Sequence, residues 1–148
     1  MKHKGSTMEY SKERIRDLMR AYDEYISSCG HINMPDVYSA ITDMPSRRFW
    51  VSEIRAALVI SSIMRLGEKS LKGMLPTKKE MYKEIYRRVV ALKDQHPEES
   101  VSELCARVVD QPAPKFYLTP GSVKIMVCKA RKQWRREKLK RVQRLFLE

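Results

Sequence analysis

Two stretches of the chain follow one pattern without a gap: Asp43-Met-Pro-Ser-Arg-Arg-Phe-Trp-Val-Ser52 and Asp110-Gln-Pro-Ala-Pro-Lys-Phe-Tyr-Leu-Thr119. Asp43, Pro45 and Phe49 return 67 positions later as Asp110, Pro112 and Phe116, while Trp50, Val51 and Ser52 become Tyr117, Leu118 and Thr119. A spacing held this strictly reads as tandem duplication of one small folding unit. At 148 residues the chain can bury a real core, as one domain or as two small lobes sharing one.

Each copy is expected to hold three helices. The first is read from Ser11 to Ile26, with Ile15, Leu18, Met19, Tyr22, Tyr25 and Ile26 at helical spacing, and its partner from Lys79 to Leu92, with Tyr82, Ile85, Tyr86, Val89 and Leu92. Breakers at Ser28–His31 and Gln95–Glu98 precede short helices near Met34–Thr42 and Val101–Val109, the second opened by Ser100 or Ser102, with Glu103 placed as a capping-box residue three after Ser100. Pro45 and Pro112 stop these helices, because proline lacks the next backbone donor and its predecessor avoids the helical region. Ser52 and Thr119 then cap a third helix in each copy, with Pro120 at the first helical position and Gly67 closing the helix of copy one.

The expected class is therefore all-α, with two pseudo-repeated three-helix units and a long basic C-terminal helix. Its divisions are a flexible N-terminus over 1–10, a first unit over 11–66, a connector over 67–78, a second unit over 79–134 and a basic extension over 135–148. No strand alternation is present. The third helix of copy one, Glu53–Leu66, is apolar around most of its circumference and is expected to be central and buried.

Charge separates the copies. The formal net charge is +12; residues 1–74 hold 12 Lys/Arg against 9 Asp/Glu, and residues 75–148 hold 18 against 9, so the halves carry +3 and +9. From Lys124 to Arg144 ten basic residues face a single acid, Glu137. A helix that is merely soluble interleaves Glu for i,i+4 pairs, so this one-sidedness points to a polyanion. Val123, Met126, Val127, Ala130 and Trp134 would pack against the body, leaving Lys124, Lys129, Arg131, Lys132, Arg135 and Arg136 to neutralise phosphates. Arg47, Arg48 and Lys115, in the repeated loops, are secondary phosphate contacts. The phenylalanines of those loops are expected in the core, with Trp50 and Tyr117 half exposed.

The sequence offers no catalytic constellation. His3, His31 and His96 stand at no ligand spacing, and Cys29, Cys105 and Cys128 form no CxxC, so neither a metal site nor a disulfide framework is expected. No cofactor, no enzymatic activity and a reducing cytoplasmic compartment follow as expectations. Ala56 to Met64 is bounded by Arg55 and Arg65, far short of the roughly 20 apolar residues of a membrane helix. The basic start, Met1 to Thr7, has no apolar core behind it and is expected to be no secretory signal; it reads in part as a cloning remnant, with Met8 as the native start.

A short helix, a turn and a capped third helix, used twice and ending in a basic helix, resembles tandem helix-turn-helix proteins of the Myb and homeodomain-like kind. The likeness covers about Ser11 to Trp134 and is architectural. It departs from that pattern at Met44–Val51, which is longer than the usual turn of about 3–4 residues and contains proline. The phrase Pro112-Ala-Pro-Lys-Phe-Tyr117 is also similar to one in short bacterial proteins. The expected function is non-enzymatic binding of nucleic acid, DNA before RNA. The alternative is a helical adaptor that takes an acidic protein partner or self-associates through Leu139, Val142, Leu145 and Phe146; no membrane is expected.

Overall fold

Hydroxyl caps and prolines place the helix boundaries in the computed structural model, which describes the backbone of residues 4–147 and the side chains of 10–147. Six α-helices follow in order: α1 (Lys4–Ser28), α2 (Met34–Thr42), α3 (Glu53–Leu66), α4 (Pro76–Gln95), α5 (Val101–Val109) and α6 (Pro120–Leu147). Ser52 Oγ accepts from the Arg55 N–H at 3.1 Å, Thr119 Oγ1 from the Ser122 N–H at 3.1 Å, and Ser100 forms the full capping box with Glu103. Gly67 closes α3 at φ 74°, a left-handed conformation that glycine adopts without a Cβ penalty.

Three boundaries differ from the sequence reading. α1 begins at Lys4 rather than Ser11, and residues 1–3 of the expected flexible start, His3 among them, lie outside the described residues. α4 begins at Pro76, where a missing N–H costs nothing, not at Lys79. The connector between α3 and α4 contains a 3₁₀ turn, Gly67–Leu71, that delivers Leu71 to the core at 2% exposure.

The helices divide into two compact units, and the division is not sequential. Residues 43–118, with α3, α4 and α5, form one; residues 1–42 and 119–148, with α1, α2 and α6, form the other. The helix that follows each loop thus groups with the helix pair of the opposite half of the chain.

In residues 43–118, α3 packs on both α4 and α5, and these two pack on each other. The core is built from Phe49, Ile60, Tyr82, Ile85, Leu104 and Val108, among others, with Phe49 and Tyr117 stacked at 6.0 Å between ring centroids. The two proline-containing loops meet here. Ser46 and Ala113 exchange both backbone hydrogen bonds at 3.0 Å, the sole β-bridge among the described residues. The Ser46 hydroxyl, itself buried, has one proton to donate and two carbonyls within reach, Arg48 at 2.7 Å and Lys115 at 3.2 Å, so it does not go unpartnered.

The expectation that α3 is buried all round fails. Ala56, Val59, Ile60 and Ile63 face the core, but Ile54 and Leu58 are 56% and 59% exposed and Leu66 is also open. A helix of this unit has neighbours on one side only, so half its apolar circumference stays in water.

In the other unit, Leu18 and Ala21 of α1, Val37, Tyr38 and Ile41 of α2, and Val123 and Val127 of α6 make the buried contact. Asp17 is fully buried there, held by the Arg20 guanidinium through bonds of 2.7 and 3.0 Å. Buried positions recur at one spacing: Leu18 and Ile85, Val37 and Leu104, Ile41 and Val108, Ser46 and Ala113, Phe49 and Phe116, Ala56 and Val123, Ile60 and Val127 each lie 67 residues apart.

Candidate nucleic-acid interface

α6 is 28 residues long, about 42 Å at 1.5 Å per residue. Its first turns are anchored by Val123 and Val127, with Met126 and Ala130 half buried. Beyond that the anchoring stops: every described residue from Arg131 to Leu147 is exposed. Trp134, read from the sequence as part of the packed stripe, is 62% exposed. The reason lies in the stripe itself, which continues one and two turns further as Lys138 and Arg141 rather than as apolar residues.

The cations expected to meet phosphate fall into two groups, one in each compact unit. Lys124, Lys129, Arg131, Lys132, Arg135 and Arg136 all lie exposed on α6. Among the described residues none of them, and none of Lys138, Lys140, Arg141 and Arg144, forms an ion pair. Arg131 donates to the Tyr22 hydroxyl at 3.4 Å with its guanidinium 6.0 Å from the ring centre, and Lys138 lies over the Trp134 ring. Like charges recur at i,i+4 (Arg131 and Arg135, Lys132 and Arg136, Arg136 and Lys140), which disfavours the helix until a polyanion neutralises them.

The loop cations stand differently. Arg48 is half buried, donates to the Phe49 and Val51 carbonyls at 3.1 and 3.0 Å, approaches Asp110 at 3.5 Å and lies 5.2 Å from the Trp50 ring centre. Lys115 pairs with Glu80 at 2.6 Å, and that hydrogen bond raises the ammonium pKa. Both side chains brace their own unit, and only Arg47 of the three is fully exposed. Nothing in the sequence links Lys115 to Glu80 or Arg48 to Asp110, since these partners are brought together by tertiary packing.

Burial pushes the Cys105 thiol up to about 11, and the three cysteines are free. Among the described residues no cluster of His, Cys, Asp and Glu could hold a metal, and no helix is long and apolar enough to cross a membrane.

The class that fold and charge define is an all-helical six-helix protein with an unneutralised cationic helix. The chain matches no protein-family model, no curated protein and no solved structure.

Proposed function

We propose that this protein is a non-enzymatic nucleic-acid-binding protein that holds duplex DNA through phosphate contacts of α6. One observation carries the reading: ten cations on one helix lack ion-pair partners among the described residues, whereas Arg87, Arg88, Lys115 and Arg107 in residues 43–118 are each matched to a carboxylate. Self-repulsion of this size is a cost to the free protein that a phosphate backbone removes. The recurrence of buried residues at a spacing of 67 supports two uses of one helical plan, with the cationic helix added to only one of them.

The test is binding of a labelled duplex at two salt concentrations. With six phosphate contacts, affinity should fall about 10³-fold between roughly 50 and 200 mM salt. Replacing Arg131, Lys132, Arg135 and Arg136 by Gln should lower the slope of log K against log salt by about 3–4. Weak binding at low salt, or a variant that binds like the parent, would refute the reading.

A second reading is favoured by the exposed tail apolars, with Leu145 at 76% and Phe146 at 85% exposure. In that case the helix docks on an acidic protein or on another copy, and changing Leu139, Val142, Leu145 and Phe146 abolishes a salt-insensitive association. Two cationic helices side by side repel, which places this reading second.

A further inference from the structure

Trp134 stands between two grooves of the unit formed by α1, α2 and α6. On one side lie Tyr22, Asp23, Arg131 and Arg135, around a cleft of about 600 Å³; on the other lie Lys12, Ile15, Arg16 and Glu137, around a cleft of about 590 Å³. Ala130, with its small side chain, lines both. Both clefts fall within the size of small-ligand sites, about 300–1,000 Å³.

We propose that this face stacks an unpaired nucleobase on Trp134, so that single-stranded nucleic acid gains a contact that a duplex cannot make. The inference rests on the phosphate-binding reading of α6 and adds to it the form of strand that engages this face. An indole left 62% exposed forgoes the burial that aromatic residues usually gain, and it does so inside a field of cations. Lys138 Nζ lies 5.3 Å from the indole centre, over one face of the ring. At 62% exposure the indole keeps open surface for a second π-system.

The surrounding charge selects the ligand. Arg131 and Arg135 on one side, Lys12 and Arg16 on the other, can each meet a phosphate of a chain whose base lies on the ring. Asp23 and Glu137 confine the backbone to those paths by repulsion. A cationic ligand, which aromatic cages otherwise favour, would meet four like charges here and is excluded. A duplex keeps its bases stacked on one another and offers Trp134 only sugar and phosphate. A single strand offers a π-face at every nucleotide, and stacking of this kind tolerates any base.

The experiment uses the full chain carrying Trp50→Phe, which leaves Trp134 as the sole indole of the two in the sequence. Its fluorescence is followed during titration with an oligothymidylate of roughly 12 nucleotides, a duplex of the same length, and heparin. The expected result is strong quenching by the oligothymidylate, and binding without comparable quenching by the duplex and by heparin. Trp134→Ala should weaken oligothymidylate binding about 10-fold and duplex binding less than about twofold, while Trp134→Phe stays within about threefold of the parent. Circular dichroism confirms that both variants remain folded, as expected for an exposed residue.

Oligothymidylate binding that leaves the indole unquenched, or that Trp134→Ala does not weaken, overturns this inference and leaves the phosphate reading intact. Equal quenching by heparin overturns it as well, because heparin carries no base. Failure of both nucleic acids to bind at low salt overturns both readings together.

Discussion

α3 and α6 are the two helices that leave the repeated loops, and they part ways after the first three turns. Both start at a hydroxyl cap, both bury small aliphatic residues at matching places, and both expose an apolar residue at the same register, Leu58 in one and Ile125 in the other, at 59% and 58%. α3 then ends at Gly67 with one face packed on its unit, where Lys83, Arg87, Arg88, Arg107 and Lys115 are each matched to an acid. α6 runs on for a further stretch in which, among the described residues, nothing is buried and no cation has an ion-pair partner. The difference teaches that packing ends with Ala130, and that whatever maintains the rest of α6 is not the protein's own core.

The largest effect expected from this contrast lies in stability. Phe49 is fully buried, stacked on Tyr117 and covered by the Arg88 guanidinium at 4.9 Å, so Phe49→Ala should destabilise residues 43–118 by about 3–5 kcal/mol. Leu139→Ala, on the projecting part of α6, should change stability by no more than about 0.5 kcal/mol. Urea unfolding of both variants checks the pair. A Leu139→Ala variant as damaged as Phe49→Ala would show that the tail of α6 is packed after all.

A smaller effect separates the helix starts. Ser52→Ala and Thr119→Ala each remove a side-chain acceptor from an N-terminal N–H, and each should cost about 1 kcal/mol. The consequences diverge because α3 is packed along its length by buried residues, Ala56 to Ile63, and α6 only over its first turns. Loss of the Ser52 cap should lower the melting temperature of the whole of residues 43–118. Loss of the Thr119 cap should also reduce DNA affinity, since the cap and Val123 together hold the start of the cationic helix in place. Equal affinity for parent and Thr119→Ala would separate binding from the capped end.

Much of this architecture is legible in the residues. Prolines, caps and glycine carry local signals, so α2, α3, α5 and the start of α6 fall where the sequence puts them. The phenylalanines read as core and are buried, whereas Tyr117, expected half exposed, is buried as well because its ring stacks on Phe49. Which helix groups with which was not legible. Duplication predicts that α3 stays with α1 and α2, but an apolar stripe such as Ala56, Val59, Ile60 and Ile63 carries no address, and either helix pair can receive it. The candidate site was legible as charge and illegible as contact. Lys115 and Arg48 resemble free cations in sequence and are tied to Glu80 and Asp110 by folding, while Trp134 carries helical spacing to Val127 and still lies outside the core.

The smallest effect is a pH dependence of residues 43–118, and it sharpens the same contrast because the projecting part of α6, from Arg131 on, buries no titratable group. Burial pushes the Tyr117 hydroxyl up to about 12, with Glu84 and Glu80 adding to the rise and Arg88 and Arg87 opposing it. The unfolded chain therefore gives up this proton first, near the ordinary tyrosine value of about 10. Stability from the neutral hydroxyl is complete below that pH and drains away as pH rises toward the folded value. Glu84 acts at the other end: its hydrogen bond from Arg87 holds the carboxyl below its usual value, so its contribution is present above about pH 4.5 and is lost as pH falls through the folded pKa. Melting temperatures from about pH 8 to 11 should decline in the parent and decline less in Tyr117→Phe, which keeps the ring stacked on Phe49 and removes only the titrating group. Parallel declines in both proteins would mean that Tyr117 is as solvated in the folded state as in the unfolded one, and that the loop pair does not seal this unit.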